Sequence, residues 1–131
     1  MGMSREIYIS EALSNETRLR ILLIAQNAAL CVKCLVASLK VPQPTVSRHL
    51  SIMKKSGLLK SEQKGTHRYY TVDLNGEFSS LKRKLVLAYQ EELKNKEPYV
   101  SDAKHLMKYM QTGPDENCAT PLTEGGTGKK E

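Results

Sequence analysis

The sequence QPTVSRHLSIMKKSG, residues 43–57, has the pattern of an amphipathic helix that ends in glycine. Val46, Leu50 and Met53 recur at the spacing of a helix and predict one buried side. Gly57 is suited to the position just beyond the last helical turn. Polar and basic residues fill the other side, so we predict a helix that is anchored in a core and presents a hydrophilic face.

The segments on either side of this helix complete a recognisable order. A shorter helix is predicted over about residues 31–40, and the prolines within residues 41–44 end it. Residues 59–62 and 67–72 flank the Lys-Gly-Thr turn at 64–66 and predict a β-hairpin with a basic tip. A helix, a tight turn, a second helix and a basic hairpin together predict a mainly α fold with a small β wing, the winged helix-turn-helix.

The rest of the chain predicts further helices and a tail. Helices are expected over residues 6–13, after an N-terminal cap at Asn15, over 75–96 and over 101–111. We therefore assign residues 1–111 to one winged helix-turn-helix domain. Residues 112–131 contain four glycines, four threonines and two prolines, with Leu122 as the only large apolar side chain. Such a segment cannot bury enough surface to offset its ordering entropy, which predicts a disordered C-terminal tail.

Charge is concentrated in the predicted DNA-reading unit. Seven lysines and arginines lie between Lys40 and Tyr70, where Glu62 is the only acid, so this segment carries the +6 net charge of the entire chain. A neutral body with one basic segment indicates contact with a nucleic acid or an anionic surface. Because the charge lies on the second helix and the hairpin of a winged helix-turn-helix, double-stranded DNA is the predicted partner. The apolar runs are too short to span a bilayer, so no membrane partner is expected.

Motif content and cysteine usage restrict the class of protein further. The chain contains no G-x-x-x-x-G-K-S/T loop, no G-x-S-x-G and no H-E-x-x-H, so we expect no enzyme. Its first residues form no apolar signal core. Three cysteines, an odd number, favour thiol chemistry over a disulfide framework. These features predict a protein of the reducing cytoplasm, associated with the nucleoid.

The DNA contacts are predicted from helix geometry. Polar side chains in the first half of an inserted helix reach base edges, while the lysines that follow and the hairpin bases meet phosphates. The alternative is an ordinary small helical domain with a solvated charged face. The predicted DNA-binding residues are Gln43, Thr45, Ser47, Arg48, His49, Ser51, Lys54, Lys55, Lys64, His67 and Arg68.

Five segments together resemble the ArsR/SmtB metalloregulatory repressors. They are LSNETRLRIL (13–22), LCVKCL (30–35), QPTVSRHL (43–50), GLL (57–59) and KGTHRYY (64–70), and the resemblance covers about residues 5–95. It implies a homodimeric winged-helix repressor that sits on an operator near its own promoter. An inducer, often a soft metal or metalloid, would release it.

The resemblance also implies how the dimer forms. Family members usually associate through their first and last helices, and an apolar stripe on the predicted long helix fits that role. The stripe consists of Phe78, Leu81, Leu85 and Tyr89. A dimer places two recognition helices about one DNA turn apart, which predicts an operator with two-fold symmetry.

Cys31 and Cys34 form the predicted sensing site. Their i, i+3 spacing at the start of a helix presents two sulfurs on one face, where the helix dipole and Lys33 favour the thiolate form. Thiolates select soft ions such as Cu(I), Zn, Cd or a trivalent arsenical. Arsenic-responsive family members carry C-V-C-D-L on this helix. Here Cys31 matches the first cysteine, Lys33 replaces the second, and Cys34 stands where the aspartate normally is.

Three readings of the cysteines stay open at this point. The pair can bind an ion as inducer, with trivalent arsenic as the first candidate and no permanent cofactor. It can close into a disulfide as a redox switch without a metal, or it can simply pack as small apolar side chains. Cys118 is a candidate third metal ligand through a flexible tail, and its alternative is an incidental tail cysteine.

Overall fold

The computed structural model describes residues 4–112 and 119–121 of the chain, with six helices and four short strands. The helices are α1 (Arg5–Ala12), α2 (Glu16–Ile24), α3 (Val32–Leu39), α4 (Gln43–Ser56), α5 (Ser79–Leu93) and α6 (Tyr99–Thr112). The strands are β1 (Ala28–Leu30), β2 (Leu59–Lys64), β3 (His67–Val72) and β4 (Ala119–Pro121). The predicted order of helix, turn, helix and hairpin is confirmed.

The predicted helix ends follow from local chemistry. The side-chain oxygen of Asn15 accepts a hydrogen bond from the Arg18 backbone N–H at 3.2 Å, which caps α2 as the sequence predicts. α4 ends at Gly57, whose φ of 88° lies in the left-handed region that favours glycine. Val46, Leu50 and Met53 are at most 1% exposed, so the predicted buried side of α4 is confirmed.

The sheet is antiparallel and larger than the predicted hairpin. Its order is β2-β3-β1-β4, and the β2–β3 hairpin runs in register from the Leu59–Val72 pair to the Lys64–His67 pair. β1 joins β3 through Leu30 opposite Tyr70. The two further strands, β1 and β4, were not predicted because three residues are too few to establish an alternating pattern.

The predicted long helix over 75–96 is shorter in the structure. Gly76 and Phe78 have φ values of 82° and 63°, and this left-handed backbone keeps the segment before Ser79 out of α5. Asn75 does not cap the helix: its side-chain oxygen accepts a hydrogen bond from Arg83 at 3.1 Å. Phe78 therefore precedes α5 instead of standing on one of its faces.

One core joins the first four helices to the sheet. It includes α2 on most of its circumference, since Ile21, Leu22 and Ile24 are all buried. Ile9 of α1 and Leu35 of α3 are completely buried in the same cluster. This packing holds α3 and α4 at a fixed angle, so the hydrophilic side of α4 faces outward.

α6 packs back onto α2 and α3 through a buried ion pair. Asp102 is 1% exposed and accepts two hydrogen bonds from Arg20 of α2, at 2.7 and 2.8 Å. Arg20 also donates to the carbonyl oxygen of Leu39, the last residue of α3, at 2.9 Å. His105 donates from Nδ1 to the Ser38 carbonyl oxygen at 3.1 Å. α6 is thus fastened to the end of the helix that precedes α4.

The predicted disordered tail lies largely outside the described residues. Thr112 ends α6, and residues 119–121 form β4, which pairs with β1. Within the described part of the chain, no helix has both the length and the apolar character needed to cross a bilayer.

Candidate nucleic-acid interface and thiol site

α4 presents a continuous hydrophilic side. Ser47, Arg48 and Ser51 are exposed, and so are Lys54 and Lys55 in the last turn. These side chains can donate hydrogen bonds to base edges and phosphates, as a helix inserted in a groove requires. At the start of the helix, Gln43 is exposed and Thr45 is half-buried.

The hairpin extends this surface with further cations. Lys64 and His67 face each other across the turn, and Lys64 is exposed while His67 is half-buried. Arg68 is exposed and donates to the hydroxyl of Ser61 at 2.9 Å, which holds its guanidinium against the strand. The wing therefore carries positive charge at and near its tip.

His49, one of the predicted DNA-binding residues, lies inside the protein. It is 7% exposed because it borders the Val46–Leu50 stripe, and its Nδ1 lies 2.9 Å from Arg18 Nη1. A guanidinium can only donate, so Nδ1 accepts and the imidazole is neutral. Burial and the charges of Arg18 and Arg48 lower the pKa of His49. His49 thus joins α4 to α2.

Two cations that the sequence analysis missed cap the end of α4. Lys82 of α5 is 3% exposed and donates to the Gly57 carbonyl oxygen at 3.0 Å. Arg5 of α1 donates to the Lys55 carbonyl oxygen at 3.2 Å. Helix C-terminal carbonyls favour such positive partners. A lysine within the apolar side of α5 was the available signal. These contacts tie α4 to α1 and α5.

The two cysteine sulfurs lie together at the start of α3. Cys31 is the N-terminal cap residue of α3 and Cys34 lies in its first turn, with 3.7 Å between the two sulfur atoms. They are 2% and 0% exposed, whereas Lys33 between them is exposed. Cys31 takes part in a disulfide bond, while Cys34 keeps its thiol, so the two are not bonded to each other.

Further metal ligands are not gathered around this pair in the described residues. Across residues 4–112 and 119–121, no group of three or more histidine, cysteine, aspartate or glutamate side chains could hold a metal ion. Cys118, the predicted third ligand, lies outside the described residues.

A short path leads from the cysteines to α4. The Ser38 hydroxyl donates to the Cys34 carbonyl oxygen at 2.7 Å within α3. α3 ends at Leu39, and Lys40 turns the chain with a left-handed backbone at φ 60°. α4 then begins at Gln43. A displacement at the start of α3 is therefore close to the base of the hydrophilic helix.

The four residues of the predicted dimerisation stripe differ in their exposure in the structure. Phe78 and Leu81 are 38% and 36% exposed, but Leu85 and Tyr89 are half-buried and pack against the core of their own protomer. The reason is that α5 turns these two positions toward α2. Ile7 of α1, at 46% exposed, adds an apolar side chain that the stripe did not include.

Comparison with known proteins identifies relatives of the DNA-reading region. Residues 15–61 match the family model described as bacterial regulatory protein, arsR family. An HTH-type transcriptional regulator of Methanocaldococcus jannaschii is 45% identical over 65 residues, which are 49% of this chain and 73% of that protein. The arsenical resistance operon repressor of Escherichia coli is 40% identical over 71 residues. That match covers 53% of this chain and 61% of the repressor.

A solved structure has a similar fold over about two thirds of this chain. HlyU from Vibrio cholerae is similar with a TM-score of 0.54 and 27% sequence identity. The match covers 65% of this chain and 91% of HlyU.

Proposed function

Since the chain belongs to the ArsR/SmtB family of winged helix-turn-helix transcriptional regulators, we propose that it is a homodimeric repressor that a soft ion releases from its operator. Trivalent arsenic is the first candidate for that ion. The name of the E. coli relative, an arsenical resistance operon repressor, supports this choice. The observation that carries the proposal is the pair of adjacent sulfurs at the start of α3.

DNA binding is supported by the charged surface of α4 and the wing. Arg48 is exposed in the middle of α4 and can donate two hydrogen bonds to a guanine edge, the commonest specific contact of arginine in the major groove. Lys54 and Lys64 flank that position on the helix and the wing and can neutralise phosphates.

Dimerisation is supported by exposed apolar residues on α1 and α5. Ile7, Phe78 and Leu81 are each more than a third exposed. A second copy that covers them would remove this apolar surface from water. Because Arg5 and Lys82 tie α1 and α5 to the end of α4, association through these helices also orients the two DNA-reading helices.

The spacing of the sulfurs suits a single soft ion. Two thiolates bound to a tetrahedral zinc ion at about 2.3 Å lie about 3.8 Å apart, which sets the scale for a soft ion. The sulfurs of Cys31 and Cys34 are separated by 3.7 Å, so little movement of the backbone is needed. Cys31 must first be reduced, because a disulfide sulfur offers no thiolate to an ion.

Ion binding would act on DNA through α3. The ion must enter between two buried sulfurs, so it displaces the groups packed around Cys31, which caps the helix, and that displacement passes along eight residues to the turn before α4. Both halves of a dimer then fit their half-sites less well. By linkage, operator DNA must weaken ion binding by the same factor as the ion weakens DNA binding.

The test is fluorescence anisotropy on DNA from immediately upstream of the gene of this protein, with a phosphine reductant. Arsenite, an organic arsenical, cadmium and zinc are titrated in turn. We expect an arsenical or cadmium to release the wild type, and Cys34→Ser to bind DNA equally well without being released. Cys118→Ser, measured in the same way, reveals whether a third thiolate contributes. A Cys34→Ser variant that is released normally would remove this pair from the mechanism.

A redox switch is the second candidate, and the disulfide at Cys31 favours it, although Cys34, the predicted partner, is not the residue bonded there. In this case an oxidant removes two electrons and two protons from a pair of thiols, and no ion binds. Peroxide would then release the reduced protein from DNA, whereas none of the four ions would do so. Absorption by thiolate-to-metal charge transfer in the near ultraviolet, under reducing conditions, is expected only for the ion-binding function.

A further inference from the structure

A cleft of about 400 Å³ lies between α2, α5 and α6, on the far side of α6 from the cysteine pair. Its lining is mainly apolar and includes Leu23 and Ile24 of α2 with Leu106 and Met107 of α6. Met107 is 62% exposed, so the cleft is open to solvent. This volume and this lining are those of pockets that bind small molecules.

The polar groups of the cleft indicate which charge its ligand carries. Lys94 is the only charged side chain among the described lining residues, which include no carboxylate. Gln90 and Tyr99 add an amide and a hydroxyl. Burial raises the pKa of Tyr99, so its hydroxyl stays protonated and can donate a hydrogen bond. The cleft therefore offers donors and one positive charge beside an apolar floor.

The position of the cleft argues against a second copy of this chain as its occupant. The proposed dimer surface is formed by Ile7 of α1 and by Leu81 at the beginning of α5. An α-helix turns by about 100° per residue, so Gln90 and Lys94 are rotated by about 180° and 220° from Leu81. A partner seated on the Ile7–Leu81 surface would leave the cleft free.

We propose that this cleft binds a small, mainly apolar molecule that carries one anionic group. The anion pairs with Lys94, the hydroxyl of Tyr99 donates a hydrogen bond to it, and the apolar part lies against α2 and α6. This site is separate from the thiol pair and goes beyond the proposed response to soft ions. Its ligand rests on α6, the helix that Asp102 and His105 fasten to Arg20 and to the end of α3.

The probe is 1-anilinonaphthalene-8-sulfonate, an apolar fluorophore with one sulfonate, titrated into the reduced full-length protein. We expect saturable fluorescence enhancement in the wild type. Ala103→Trp fills the cleft from α6 and should weaken binding by about tenfold or more, since an overfilled site excludes the ligand. Lys104→Trp changes the next exposed residue of α6, which does not line the cleft, and should bind the dye normally.

The charge preference is tested separately. Lys94→Gln should weaken dye binding about two- to fivefold, the range of a solvent-exposed ion pair, whereas Lys96→Gln should leave it unchanged. Decanoate should displace the dye at lower concentration than decanol, which has the same chain without the charge.

Three results would overturn the proposal. In the first, Ala103→Trp binds the dye as well as the wild type does. In the second, decanoate and decanol displace the dye at equal concentrations. In the third, dye binding is lost at the protein concentrations at which sedimentation shows that the protein associates. The last result would make the cleft an interface between copies. Without dye, Ala103→Trp should bind DNA with the same affinity as the wild type. A failure of the cleft proposal is therefore distinguishable from a failure of the proposed DNA-binding function.

Discussion

Replacing Asp102 with alanine should remove most of the attachment of α6. The carboxylate is 1% exposed and receives both of its hydrogen bonds from Arg20, whose side chain is 16% exposed. Breaking a buried pair by deleting one partner costs about 3–5 kcal/mol. Arg20 keeps its bond to the Leu39 carbonyl and some access to water, so we expect a loss near the lower end, about 3 kcal/mol.

The assay is urea denaturation followed by circular dichroism at 222 nm, at one fixed protein concentration because association adds to stability. A loss of this size lowers Tm by about 12 °C or more in a domain of this length. Glu92→Ala removes an exposed carboxylate from α5 and should change stability by less than about 0.5 kcal/mol. The double variant Arg20→Met, Asp102→Leu should recover much of the loss, since it leaves no buried charge. A cost for Asp102→Ala no larger than that of Glu92→Ala would refute the assignment of this pair as the anchor of α6.

Three further predictions concern DNA, association and pH. Arg48→Ala should weaken specific DNA binding by about 1–3 kcal/mol and relax the sequence preference, and unchanged affinity for the operator would show that another face reads it. Leu81→Glu should shift the sedimentation equilibrium toward monomer, whereas Lys104→Glu, at an exposed position of α6 outside the Ile7–Leu81 surface, tests whether any added charge has this effect. The lowered pKa of His49 means that the unfolded chain binds the proton more readily than the folded one. The neutral His49 contributes its full stabilisation above about pH 6.5, and this contribution is lost as the pH falls below that value. His49→Gln should therefore reduce the decline in the free energy of unfolding between pH 7 and pH 5. An equal decline in the variant and the wild type would contradict the argument.

Features that depend on local periodicity could be predicted from the sequence. Val46, Leu50 and Met53 define the buried side of α4 within eight residues, and Asn15 caps α2 through a bond three residues away. Such patterns are visible because the partners are close in sequence. The exposed cations of α4 follow as well, since a helix that buries one side must present the other.

Features that depend on distant pairs could not be predicted. Arg20 and Asp102 are 82 residues apart, and no periodicity relates them. Lys82 is buried on α5, and its ammonium is satisfied by the carbonyl of Gly57, 25 residues earlier in the chain. His49 borders the buried stripe, and only the position of Arg18 decides which way its ring is held. In each case the tertiary partner determines the role of the residue.

The complete burial of Cys34 has a consequence for the speed of any response at this position. A reagent in solution reaches the sulfur only during brief local openings of the fold. At high reagent concentration the rate of reaction then stops rising and equals the rate of opening. The opening rate of the protein itself would then limit the speed of the response, and a pulse of a thiol-reactive compound shorter than the opening time would produce no response.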